Sequence, residues 1–221
     1  GVSSEKLASL HQQIRPSPPE DKKNVTEGLS VSEKQKKLAN KKRGKNRKGQ
    51  TTSSSTALSK DQIDHILGHY QAGRLAEAEE LATLLIQQFP KHPFGWRALG
   101  AIYKQTGRLN ESLSPMQESV DLSPQDAEAH YNLGVTLKEL GRLGDAEASY
   151  IKATALKPDY TEAHYNLGNT HKELGRLDDA EASYIKAIAL KPDYAEAYYN
   201  LGITLQELGR LDDAEASYRK A

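Results

Sequence analysis

The chain has 221 residues, 30 basic and 30 acidic side chains, no cysteine and a single methionine. Without thiols there is no disulfide framework and no thiolate metal site, which suits a reducing compartment and makes the cytoplasm the expected location. No run approaches the roughly 18 apolar residues of a membrane span, and the opening GVSSEKLASLHQ lacks the apolar stretch of a secretory signal, so neither membrane insertion nor export is expected.

The formal net charge of zero hides two unlike parts. Residues 1–58 carry 13 Lys or Arg against 5 Asp or Glu, a net of +8, and residues 59–221 carry 17 against 25, a net of −8. Every Phe, Trp and Tyr lies beyond residue 58. The first part therefore has no large apolar anchor to offset the entropy of ordering, and it is expected to be a disordered basic tail. Within it, nine of the fifteen residues 34–48, KQKKLANKKRGKNRK, are basic. Lys36, Lys37, Lys41, Lys42, Arg43, Lys45, Arg47 and Lys48 are the candidate contacts for an anionic partner. Weak non-specific contact with nucleic acid, nuclear import or an anionic membrane surface would each follow from electrostatics alone, and a solvated linker explains the same run. Residues 51–59, TTSSSTALS, read as a flexible hinge.

Beyond the hinge the chain repeats itself. The block at 127–160 returns at 161–194 with 29 of 34 positions identical. A 34-residue period marks stacked helical hairpins, none of which can bury its apolar face alone. Stepping by that period keeps a Gly-Arg-Leu turn in register at Gly73, Gly107, Gly141, Gly175 and Gly209. Five hairpins follow: 59–92, 93–126, 127–160, 161–194 and 195–221, the last seven residues short. More chain is expected after Ala221. A start at Gly1 with the one methionine at Met116 likewise implies a removed initiator or a missing upstream segment.

In the first hairpin His65 and Ile66 stand where later hairpins have Leu and Gly. Asp61, His65 and His69 are spaced four apart and could share a helix face as metal ligands, but HxxxH without the intervening Glu arises easily by chance. No metal and no cofactor is assigned. The second hairpin has Ser112 where Ala recurs elsewhere, and Pro115 inside its second helix, where proline costs about 3 kcal/mol and predicts a kink or local weakness. In the third, Leu133, Leu137 and Leu140 form one apolar stripe and Ala146, Tyr150, Ala153 and Leu156 another. Gly134 and Ala146 are small where the helices approach, Gly141 reverses the chain and Pro158 stops the second helix. Helices of about 13 residues are marginal alone, so stability must come from stacking and should fall repeat by repeat on truncation. His130 and His164 lie a full repeat apart at a packing position and are no ligand pair.

Trp96, Leu99, Gly100, Tyr103 and Pro124 in the second hairpin, with Gly168, Ala180, Ala187 and Pro192 in the fourth, resemble the tetratricopeptide repeat family across 93–221. The first hairpin resembles it less, although Gly73, Ala78 and Pro90 keep the register. The resemblance implies an all-α, right-handed superhelical solenoid of antiparallel helix pairs, with the first helix of each pair lining a concave groove. On that wall Asn132, Asn166 and Asn200 would form a row with steps of roughly 10 Å, one hairpin pitch. A side-chain amide both donates and accepts, matching an extended peptide backbone. The row resembles the asparagine ladder of O-GlcNAc transferases, which hold substrate polypeptides by their backbones. Equally, these amides could bind only water or neighbouring loops. Replacing all three with Ala is expected to abolish peptide capture and leave melting nearly unchanged.

Tyr131, Tyr165 and Tyr199 would flank the row as adaptable contact surface or as packing for adjacent helices, with Lys138, Lys172 and Gln206 further along. Family members that clamp a C-terminal carboxylate use paired Lys, Arg and Asn. Here Glu139, Glu173 and Glu207 beside the lysine row dilute the positive charge that such a clamp needs. No phosphate-cradling glycine loop, nucleophile elbow or zinc signature occurs, so no catalysis is expected within these residues. Two readings remain: a scaffold binding an extended peptide or partner helix, and the substrate-recruiting front of an O-GlcNAc-type glycosyltransferase or sulfotransferase whose catalytic domain lies outside this chain.

Overall fold

A computed structural model describes residues 58–221; the basic residues Lys36 to Lys48 and most of the hinge lie outside the described residues. Within them, ten helices and no strand form. In chain order these are α1 (Lys60–Gln71), α2 (Leu75–Gln88), α3 (Pro93–Gln105), α4 (Leu109–Leu122), α5 (Ala127–Glu139), α6 (Leu143–Leu156), α7 (Thr161–Glu173), α8 (Leu177–Leu190), α9 (Ala195–Glu207) and α10 (Leu211–Tyr218). Each odd helix packs on the even helix that follows, and each pair packs on the next.

The turn inside every hairpin is set by one glycine. Gly141 has φ 73°, and its four counterparts fall between 71° and 77°. At that conformation the Gly141 N–H donates to the Lys138 carbonyl and the Arg142 N–H to the Leu137 carbonyl. This pair of bonds satisfies the last carbonyls of α5 and starts α6 two residues later. Helix starts differ. Ser59 and Gln62 form a reciprocal cap on α1, and the Asp126 carboxylate accepts from the Glu128 and Ala129 amides at the start of α5.

Helix spacing within a hairpin is governed by a small residue facing a large one. A Cβ placed on Gly134 would lie 2.8 Å from the Tyr150 ring, and on Gly168 2.7 Å from that of Tyr184. Gly202 faces Tyr218 in the same way, and Gly100 faces Met116. The first hairpin exchanges the sizes: Ile66 holds the glycine register and Ala82 the tyrosine register, both buried. The two helices of this hairpin pack more sparsely on each other than those of the later hairpins.

Leu133, Leu137, Ala146, Tyr150 and Ala153 are buried, while Leu140 and Leu156 lie at the margin. No hairpin has a core to itself. One cluster joins Met116 and Val120 to Leu133, Leu137 and Leu167, and another joins Ala180 and Tyr184 to Leu201 and Tyr218. Pro115 is buried inside α4, whose helical span continues over Leu109–Leu122.

Between hairpins a second set of contacts repeats. The Trp96 indole donates to the Pro90 carbonyl at 2.8 Å, and the Nε2 of His130 and His164 face the carbonyls of Pro124 and Pro158 at 3.1 and 3.0 Å. A carbonyl only accepts, so each imidazole carries its proton on Nε2. Both histidines therefore tie each hairpin to the preceding one. Arginines near the turn do likewise: Arg108 pairs with Glu79, Arg176 with Glu147 at 2.8 Å, and Arg210 with Glu181 at 2.7 Å. Glu147 also accepts from the buried His171 ring. At the equivalent place between the second and third hairpins Leu113 replaces the glutamate, and Arg142 turns to Asp145 instead.

Candidate peptide groove

The first helices touch one another directly at α1 and α3, α5 and α7, and α7 and α9, whereas no pair of second helices packs as closely. The odd helices therefore form the inner wall. On it Asn132, Asn166 and Asn200 occupy the same place on α5, α7 and α9, each half-buried.

These amides are not equivalent. Asn166 Nδ2 donates to the Tyr131 hydroxyl at 3.1 Å, and Asn200 Nδ2 donates to the Tyr165 hydroxyl at 2.9 Å. Asn200 also lies 3.1 Å from Asn169 Oδ1, which in turn accepts from the Tyr184 hydroxyl at 2.8 Å. The second hairpin has Arg97 where a tyrosine would serve Asn132, and Arg97 turns to Asp126 at 3.1 Å and Glu128 at 3.5 Å. Asn132 thus makes no side-chain hydrogen bond among the described residues. In all three amides Oδ1 is left to accept.

The tyrosines are partly structural. Tyr131 packs against Tyr160 with ring centres 4.8 Å apart and the rings tilted by 38°, and Tyr165 against Tyr194 at 4.9 Å and 40°. Tyr199 is buried against Tyr218. Burial, with Glu162 close by, raises the Tyr131 pKa above the ordinary phenol value, while the hydrogen bond from Asn166 pulls it down. The hydroxyl accepting from Asn166 therefore keeps its own proton to donate at neutral pH.

Lys138 is 2.8 Å from Glu173, and Lys104 is 2.8 Å from Glu139, so the charge beside the lysines is neutralised from the next hairpin along. Lys172 forms no ion pair among the described residues. Exposed Glu162 and Glu196, at the start of α7 and α9, form none either. His65 and His69 meet edge to face at 5.0 Å, and the His69 ring accepts from Arg74, while no group of three metal-ligating side chains gathers among the described residues.

Two features of the wall escaped the sequence. One is the tyrosine-to-asparagine bond, legible in retrospect as Tyr followed 35 residues later by Asn. The other is a cavity of about 290 Å³ between α1, α3 and α5, for which no local pattern signals.

Stacked antiparallel hairpins of 34 residues, with a small residue facing a large one and a left-handed glycine at each turn, define a class of helical repeat protein. Residues 100–141, 136–175 and 168–209 each match the TPR repeat family model, and the repeat region of this chain belongs to the tetratricopeptide repeat family. Among solved structures, a crystal structure of MamA is 26% identical, covering 69% of this chain and 90% of MamA with a TM-score of 0.66. A second MamA crystal structure, also 26% identical, covers 72% and 87% with a TM-score of 0.67. YrrB, described as a TPR protein with an unusual peptide-binding site, shares the fold at 18% identity, covering 76% and 86% with a TM-score of 0.66. No curated protein matches the chain. As a tetratricopeptide repeat protein it is built for protein interaction, and among the described residues no helix is long and apolar enough to cross a membrane.

Proposed function

We propose that the inner wall of α5, α7 and α9 holds an extended polypeptide by its backbone. The observation that carries this is the spare hydrogen-bonding capacity of the asparagine row. Asn200 commits both amide N–H groups and Asn166 one of its two to the wall itself, each keeping Oδ1, while Asn132 commits none. A β-like peptide presents N–H groups at regular intervals, and a row of fixed acceptors meets them whatever the side chains are. The tyrosine bonds hold the amides in one rotamer, so less entropy is lost on binding. YrrB, described as a TPR protein with an unusual peptide-binding site, puts the shared fold to a use of this kind.

The structure changes how the row should be tested. Removing all three amides also removes the bonds to Tyr131 and Tyr165, so melting will fall along with any loss of binding. Asn132→Ala avoids this. A neutral hydrogen bond contributes about 0.5–1.5 kcal/mol, so the variant should weaken a fluorescein-labelled peptide roughly two- to tenfold by anisotropy, with its melting temperature unchanged. Unchanged affinity would remove Asn132 from the contact, and unchanged affinity in the triple variant as well would remove the row.

A further inference from the structure

Near the first hairpin the inner wall changes character. Three substitutions against the later repeats do this together. Arg97 replaces a tyrosine and pairs with Asp126 and Glu128 while still lining the space, Ala98 replaces the row asparagine, and Ala101 replaces Val135, Asn169 and Ile203. The space they vacate is the cavity of about 290 Å³. Its lining is mostly apolar, with Ile66, Tyr70, Phe94, Ala98, Ala101 and Ile102, and also includes the paired Arg97 and the amide of Asn132, which has no side-chain hydrogen-bond partner among the described residues. Leu67 adds an exposed apolar rim at 38% exposure.

An apolar hole beside an unspent backbone-binding amide is the arrangement by which one side chain of a peptide is chosen while its main chain is held. Glu128, paired with Arg97, lines the same hole, and Glu162 and Glu196 repeat its place on the next two hairpins, exposed and without an ion pair among the described residues. Residues 59–221 as a whole are acidic, with a net charge of −8.

From this we infer that the cavity is a specificity pocket for one bulky apolar side chain, leucine or phenylalanine in size, of a basic extended peptide whose Lys and Arg residues run along Glu162 and Glu196. This rests on the reading of the inner wall as a peptide groove. The apolar residue supplies the anchor and the acidic row selects the charge and speeds the encounter.

The test uses the full chain and four labelled peptides of about twelve residues, enough at roughly 3.3 Å per residue to follow several hairpin steps of roughly 10 Å. Two are rich in Lys and Arg and two in Asp and Glu, and each pair differs by one central Phe or Ala. The basic Phe peptide should bind best. Its Phe→Ala change should cost about tenfold or more, as expected for losing a buried aromatic side chain. In Ala101→Phe, which fills the hole, and in Ala98→Leu as a milder filling, that Phe-over-Ala preference should vanish while the basic Ala peptide binds as before. Glu162→Gln with Glu196→Gln should erase the preference for basic over acidic peptides. A Phe-over-Ala preference that persists in both folded filling variants would overturn the pocket and leave the groove standing. Equal binding of basic and acidic peptides to the native chain would overturn the assigned charge. If no peptide binds the native chain, the groove itself fails and the pocket with it.

Discussion

Ser112 and Ser119 show how much one hydroxyl can matter in a repeat. Ser112 stands where the other complete hairpins have Ala and Ser119 where the third and fourth have Ala and the first has Leu85; both are buried, and neither Oγ finds a hydrogen-bond partner among the described residues. An unsatisfied buried hydroxyl costs roughly 1–3 kcal/mol. Ser112→Ala and Ser119→Ala should therefore each stabilise the chain by about 1 kcal/mol, which a rise in the urea midpoint with an unchanged slope would show. The Tyr150 hydroxyl is orphaned for a related reason, since Val135 occupies the place from which Asn169 serves Tyr184. Sequence comparison between repeats identified Ser112 as a departure, but the cost became visible only once its surroundings were closed.

At the scale of the helix, the histidines on α5 and α7 join hairpins through the carbonyls of Pro124 and Pro158. Burial lowers the His164 pKa, the bond to Pro158 opposes this and Lys186 adds to it. The sign follows directly. Above its ordinary pKa of about 6.5 the ring is neutral in both states and contributes no pH dependence. As pH falls below that value the unfolded chain takes up a proton that the folded chain resists, so stability drops until the lowered folded pKa is passed. Urea denaturation near pH 7.5 and near pH 5.5 should show this drop, and His164→Tyr, the residue found at Tyr198 in the last hairpin, should reduce it. The 34-residue period and the turn glycines located these helices because hairpin geometry is local. Pro115 sits inside an α4 that stays helical over Leu109–Leu122 and is held on both sides by α3 and α5.

For the molecule as a whole, stability is a sum over neighbours. Clusters that straddle hairpins leave none able to stand alone. Removing α9 and α10 by ending the chain at Tyr194 would bare Ala180 and Tyr184, which pack against Tyr199 and Leu201. The shortened chain should melt at lower temperature and unfold with a smaller urea slope, since less surface is exposed on unfolding. An unchanged slope would mean that the last pair was not folded with the rest.

The sequence by itself determined the period, the five turns, the helix pairs and the apolar stripes, because each depends on residues close in the chain. It also placed Asn132, Asn166 and Asn200 in one row, since a fixed period puts equal positions on one face. What the tertiary structure decided was what those side chains had left to offer. Asn166 lends one N–H to the preceding hairpin and Asn200 commits both of its own, Lys138 is neutralised by Glu173, and Asn132 keeps its whole amide uncommitted beside a cavity with apolar walls. These differences arise between repeats, from the size and reach of groups about 35 positions apart, where no local pattern can register them.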